Sequence, residues 1–461
     1  MRTSITLLAG LVLAAFIEAP AQLGAEAIDP FWTTQSGTTG VDVAKGMALA
    51  NGMLVVGGYT AGEFANNSSL GDDDAFLAWY DLNGVQQGQV TQFGTGDVPL
   101  QLAYSDSVQD IGSDAHGNIY VTGTTEGEFS DSDYDNPDTA RNYDGFVAKY
   151  DANRTLVWLR QYGATAGAFS RTTGWAIAVD SVTGDSYVTG FTDGNLSGTA
   201  SETSTLKAYV RKYNADGDDQ WTMQFTDMQR GHGLALGPNS ELYVTGYNNG
   251  SPTYDARVTK IDTSDQTVAW STLFSSDGID QPENLAVDSA GDVYVAGLTN
   301  GELVPESVPQ DDDAFLFKLK GDDGSVLQQL QFGEVGQDYA GSLAIENDVI
   351  YMNGVTTSGL DGVPSSGGLD LFTDRYSTDL TLLGRQQWGT SNRDVSSGLV
   401  VQEGRVFVAG KTDGAFPGYT NQGPSDFFVT EIPEPSTYAL LLLGVSCVPW
   451  TRARRGKRYQ A

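Results

Sequence analysis

A chain of 461 residues with 59 acidic and 25 basic side chains carries a formal net charge of −34, a field that repels phosphate backbones and anionic membrane surfaces and so argues against nucleic acid as a partner. Abundant Gly, Thr, Asp, Val and Tyr favour many short strands joined by tight turns, an all-β class, over helices. The single cysteine, Cys447, lies in an apolar C-terminal segment, so the body can form no internal disulfide. It must be held by packing, at roughly 25 cal/mol per Å² of apolar surface buried.

The chain opens with the charge of Met1 and Arg2, an apolar run from Ile5 to Ile17, and small residues at Ala19, Ala21, Ala25 and Ala27. That order predicts a secretory signal peptide over residues 1–27, with cleavage after Ala21 or after Ala27 both fitting. A lone aromatic strand follows, Phe31 to Gly37.

From there to residue 432 one pattern recurs. A strand ends in Val-x-Gly, an Asp-x-Phe strand follows, and a Trp- or Phe-bearing strand closes the copy. Alternation of apolar and polar residues in each block is the mark of half-buried strands. The glycine recurs as Gly58, Gly123, Gly190, Gly246, Gly297, Gly354 and Gly410, with Thr two residues later in every copy but the fourth. The third strand recurs as Asp74-Ala75-Phe76, Asp144-Gly145-Phe146, Asp313-Ala314-Phe315, Asp370-Leu371-Phe372 and Asp426-Phe427-Phe428. Spacings of roughly 50 to 70 residues suit four-stranded propeller blades. The last copy lacks its aromatic strand, and Phe31 to Gly37 is the missing piece. The expectation is a seven-bladed β-propeller of four-stranded antiparallel blades over residues 28–432, closed by the N-terminal strand completing the last blade. These Gly-x-Thr and Asp-x-Phe blocks resemble the bacterial SBBP repeat family, which implies a propeller and brings no established catalytic activity.

Residues 433–461 close the chain with Pro433, Glu434, Pro435, an apolar run from Tyr438 to Trp450, and a basic end including Arg452, Arg454 and Arg455. A helix from Ser436 to Trp450 would span about 22 Å against roughly 30 Å of hydrocarbon, short for a permanent anchor. Together these features resemble the PEP-CTERM sorting signal of Gram-negative bacteria. The resemblance implies recognition and processing by an exosortase-type membrane protease after export through the inner membrane. It also implies a cell-surface or extracellular destination, transient anchoring by the apolar helix, and hosts that make exopolysaccharide.

A residue present in every copy serves the fold, so a site is sought where copies differ. Connections after the second and fourth strands vary in length and gather on one face. In or near them, Tyr134, Tyr143 and Tyr247 are candidates for stacking on sugar rings. Asp131, Asp133 and Asp135 alternate as in calcium loops, without the expected glycine or bidentate Glu. Neither His116, in a predicted turn, nor His232, between two glycines, has an evident nucleophile partner. The function expected is non-catalytic binding of exopolysaccharide or a surface protein. The alternative is a glycosidase or lyase with two acids near the propeller axis.

Overall fold

In the computed structural model the described residues are 26–27, 30–97, 102–129, 143–164, 171–196, 206–250, 253–305, 307 and 311–433. They form an all-β propeller of four-stranded antiparallel units. Unit one comprises Asp42–Ala50, Met53–Thr60, Asp74–Asp81 and Thr91–Phe93. Unit two comprises Asp106–Ser113, Ile119–Thr125, Asp144–Tyr150 and Leu156–Tyr162. Unit three follows as Thr172–Val179, Ser186–Thr192, Lys207–Tyr213 and Asp219–Gln224. Unit four is Arg230–Leu236, Leu242–Gly250, Thr253–Asp262 and Thr267–Phe274. Unit five is Asp280–Val287, Val293–Thr299, Asp311–Leu319 and Val326–Phe332. Unit six is Gly336–Glu346, Val349–Thr356, Asp370–Ser377 and Leu382–Trp388. Unit seven draws Asp394–Gln402, Arg405–Thr412 and Asp426–Ile432 from the end of the chain, and Trp32–Ser36 pairs antiparallel with the last of these, Trp32 opposite Glu431.

The first three strands of a unit are covered on both faces, as the almost continuously buried Asp74–Asp81 and Asp426–Ile432 show. Fourth strands such as Val326–Phe332 lie at the rim and are half exposed. Aromatic rings fill the space between neighbouring units. Phe76 meets Phe427 at 4.9 Å between centroids, Phe274 meets Phe317 at 4.8 Å, and Trp388 meets Phe428 edge-on at 5.7 Å. The repeated Trp and Phe therefore pack between sheets.

Units are also joined through backbone. Short parallel contacts link the approach to a third strand with the approach to the next first strand: Asp73 with Ser105, Tyr143 with Arg171, Tyr254 with Ile279, Leu369 with Arg393, and Val41 with Ser425. Between units five and six the contact lengthens to Asp311–Asp312 against Gly336–Gln337, merging the two into one sheet. Glu26–Ala27 adds to this sheet, parallel to Gln386–Gln387. Purely antiparallel pairing thus holds within each unit and gives way to parallel contacts between units. Among the described residues no helix is long and apolar enough to cross a membrane.

Every first strand carries a β-bulge at the same place. Pairing with the second strand skips one residue: Lys45, Gln109, Trp175, His232, Glu283, Gly341 and Ser397 in units one to seven. The recurring glycine faces this bulge. A Cβ at Gly58 would stand 1.8 Å from the Val43 carbonyl oxygen, and the other six copies would meet the equivalent carbonyl at 1.8–2.2 Å. A bulge bends the strand and lets a neighbouring backbone approach so closely that only glycine fits. Gly297→Ala, placing a Cβ 2.1 Å from the Gln281 oxygen, should cost about 1–3 kcal/mol in a urea titration. An unshifted midpoint would show that the bulge does not hold the glycine.

Candidate functional site

Of the sequence-predicted candidates, Tyr143, Tyr247 and Pro433 are among the described residues. Asp131, Asp133, Tyr134 and Asp135 lie outside the described residues, as do Glu434, Pro435, Arg452, Arg454 and Arg455. Among the described residues no group of three or more His, Cys, Asp or Glu is placed to hold a metal ion. Pro433 is buried, its carbonyl accepting a 2.5 Å hydrogen bond from Gln386 Nε2. Tyr143 is 41% exposed, and its carbonyl accepts the Thr172 N–H at 2.6 Å. Tyr247 requires correction: it is buried in the unit-four sheet, 6% exposed, and not displayed on a surface loop.

Three residues before the bulge, the first strand carries an Asp in five of the seven units: Asp42, Asp106, Asp280, Asp338 and Asp394, all fully buried. Each accepts a backbone N–H from four residues earlier or from the preceding connection, as Thr38 gives to Asp42 at 2.6 Å and Thr390 to Asp394 at 2.5 Å. In four units Thr or Ser hydroxyls add to this, the clearest being Thr299 to Asp280 at 2.5 Å. That threonine is the one two residues after the recurring glycine, so the Gly-x-Thr block encodes both the bulge and its anchor. The Asp of Asp-x-Phe has a second partner that the sequence reading missed, a glutamine on the fourth strand. Gln92 donates to Asp74 at 2.7 Å, Gln331 to Asp313 at 2.9 Å and Gln35 to Asp426 at 2.9 Å. Turn amides supply the rest, such as Leu70 N–H to Asp74.

With the anchors fixed, the seven bulged residues turn inward and surround one cavity of about 180 Å³. Its wall takes Lys45, Gln109, Trp175, His232, Glu283, Gly341 and Ser397, one from each unit, with Asp110, Tyr339 and Ser342 among their neighbours.

Unit three has Thr172 in place of the anchoring Asp, and unit four departs further from the pattern. Gln229 and Asn248 stand where other units have Asp and Thr. His232 is sandwiched there between rings, 5.2 Å from Trp175 and 5.1 Å from Tyr247, and Tyr247 stacks in turn on Tyr254 at 4.9 Å. His232 Nδ1 faces Glu283 Oε2 at 3.5 Å, and Gln281 Nε2 donates to Glu283 Oε1 at 2.6 Å.

Lys45 stands in contrast, making no hydrogen bond or ion pair among the described residues. Burial lowers its pKa and the Lys411 charge adds to this, while Glu283 opposes both. Burial raises the Tyr339 phenol, with the Glu283 charge adding to it. Asp110 is pushed up to about 6 by burial, although its two oxygens accept the N–H groups of Ile177 and Ile111 at 2.9 and 2.8 Å. The Ile177 bond ties unit two to unit three, which gives Asp110 a structural task.

His232, Trp175, Lys45 and Glu283 were missed because each sits in a strand with no motif of its own. Alignment of the copies on the first-strand Asp, with Thr172 and Gln229 in its place in units three and four, exposes them as one variable column.

Residues 90–130 and 269–303 match the model of the SBBP β-propeller repeat. Both segments run from a fourth strand into the next unit and include an anchoring Asp, a bulge and a Gly-x-Thr block. The chain carries repeats of this type. It is 24% identical over 364 residues to the regulatory protein FlaEY of Caulobacter vibrioides, across 68% of this chain and 36% of that protein. It thus spans about a third of the length of that relative. Among solved structures it is similar to the WD40 domain of Neurospora crassa Pan2, at 11% identity and TM-score 0.48, covering 88% of this chain and 98% of that one. It is also similar to the endosialidase of phage phi92, at 10% identity and TM-score 0.48, covering 93% and 71%.

Proposed function

We propose that this β-propeller repeat protein is a closed seven-bladed ring, exported to the cell surface or extracellular matrix, that binds a polar ligand in its axial cavity without transforming it. The observation that carries the binding role is the variable column. Seven equivalent bulges, each backed by the recurring glycine and five of them anchored by a buried Asp, present six different side chains and Gly341 to one space. Recurrent support with divergent tips is what a recognition site needs, since rigid support keeps the contacts in place. Ring closure is supported by Trp32–Ser36 pairing with the last strand and by the Val41–Ser425 contact, which repeats between units seven and one the link seen between other neighbours.

Binding is favoured over catalysis because the two carboxylates at the cavity are already engaged, Asp110 by backbone amides and Glu283 by Gln281. Neither is left to serve as acid or nucleophile in glycoside cleavage. Export rests on the charge-apolar-small order at the N-terminus and the PEP-CTERM-like end, with exosortase-type processing of residues 433–461. Aromatic walls at Trp175 and Tyr339 suit saccharide.

Protein recovered from cell surface and medium, its terminal masses read by mass spectrometry, should have lost the leader and the basic end and should bind on a glycan array. Trp175→Ala should abolish that binding. A blank array with native protein, or intact termini, would overturn the corresponding half of the reading.

A further inference from the structure

Of the charged side chains in the cavity wall, Lys45 alone has no hydrogen-bond or ion-pair partner among the described residues. Glu283 has a hydrogen bond from Gln281 and the His232 ring beside it, whereas the Lys45 amine has no partner among the described residues. A partly buried amine without a counter-ion is costly unless something supplies one. Going round the ring, Ser397, Lys45 and Gln109 of units seven, one and two form a continuous arc of donors. Trp175 follows in unit three, and Glu283, in unit five, stands across the cavity from Lys45.

Resting on the binding role above, we propose that this cavity takes the terminal uronic acid of an acidic saccharide, its carboxylate against Lys45. Each chemical feature of such a sugar has a counterpart. The carboxylate meets the amine and the donor arc, a charge-assisted pair that gains from partial desolvation. The C–H face of the pyranose lies against Trp175 or Tyr339. Ring hydroxyls opposite the carboxylate donate to Glu283. The size agrees, since about 180 Å³ lies below the roughly 300–1,000 Å³ that enclose drug-sized ligands and leaves room for one ring, not a chain. One amine within a protein of net charge −34 also favours a single negative charge over a dianionic phosphate.

Calorimetric titration of the full processed chain with glucuronate, galacturonate, glucose and inorganic phosphate tests this directly. A uronate should bind at least 10-fold more tightly than glucose or phosphate. Lys45→Met should lose at least 10-fold in uronate affinity with an unchanged melting temperature, and Lys45→Arg should recover most of it. Glucose binding as tightly as glucuronate, phosphate displacing it, or full uronate affinity in Lys45→Met would overturn the proposal and leave the binding role standing. Should Lys45→Met fail to fold, the comparison of uronate with glucose on the native chain decides alone. Silence toward every sugar in solution, with a blank glycan array, would remove the binding role as well.

Discussion

Deletion of residues 31–37 is expected to destabilise the protein by on the order of 5 kcal/mol, far more than the loss of a frayed terminus. Trp32 donates from Nε1 to Glu431 at 2.8 Å, and a Cβ at Gly84 of unit one would stand 2.3 Å from its ring. Trp158 and Trp270 pack in the same way on Gly217 and Gly324 of the units that follow theirs. Gln35 donates to Asp426 at 2.9 Å, and its Oε1 accepts the Phe416 N–H at 2.9 Å. Removing the strand therefore exposes one aromatic face worth about 2 kcal/mol and leaves buried carboxylate and amide groups unpaired, at about 1–3 kcal/mol each. With an unfolding entropy of about 2.1 cal/mol/K per residue, the melting temperature should fall by about 6 °C. A fall of less than about 1 °C would refute closure of the ring by this strand.

Stability should also fall as pH rises from 4 to 8, the reverse of the usual behaviour of salt-bridged carboxylates. At four junctions a buried Asp of one unit faces the Asp of Asp-x-Phe in the unit before it: Asp42 and Asp426, Asp106 and Asp74, Asp338 and Asp313, Asp394 and Asp370. A glycine holds them close. The point where a Gly94 Cβ would stand lies 2.6 Å from Asp74 Oδ1 and 2.9 Å from Asp106 Oδ2, and the same arrangement recurs at Gly37, Gly333 and Gly389. Burial pushes Asp106 up to about 7 and Asp338 and Asp394 to about 6. Hydrogen bonds to Thr side chains and backbone amides oppose this, while the facing carboxylate, and Glu334 beside Asp338, add to it.

A carboxyl with a raised pKa holds its proton longer in the folded state than in the unfolded chain. Stability is then greatest below the unfolded value and is lost as pH rises through the folded one. At about 1.4 kcal/mol per pKa unit, Asp106 alone should account for on the order of 4 kcal/mol between pH 4 and pH 8. Asp106→Asn should be neutral at pH 5 and stabilising at pH 8, its amide also reaching the Asp74 Oδ1 that lacks a partner. Parallel pH profiles for variant and parent would sink the idea. A slope abolished by 0.5 M salt would trace it to exposed charge instead, since buried pairs are little screened.

The parts of the fold legible in the chain are those that local backbone demands repeat in every copy. A bulge needs a glycine opposite it, its anchor needs a hydroxyl two residues on, and a tight turn needs an Asp such as Asp114, which accepts the N–H groups of His116 and Asn118. These requirements act over a few residues and leave a periodic trace. Tyr143 and Tyr247 were picked out because they lie near long connections, and proximity in sequence to a loop says little about which way a ring points. Tyr247 is buried against His232, at the strand position that Tyr59 and Phe191 occupy one residue after the recurring glycine in units one and three.

The sequence by itself determined the strand content, the repeat and the segment able to complete the last copy. Only the tertiary structure decided that Lys45, Trp175, His232 and Glu283 share a cavity, and that Asp106 confronts Asp74 across a junction. The reason is range. A residue's strand and turn preferences are set by its neighbours in the chain, whereas these side chains are separated by dozens of residues and meet only because every unit turns its bulge toward the same space.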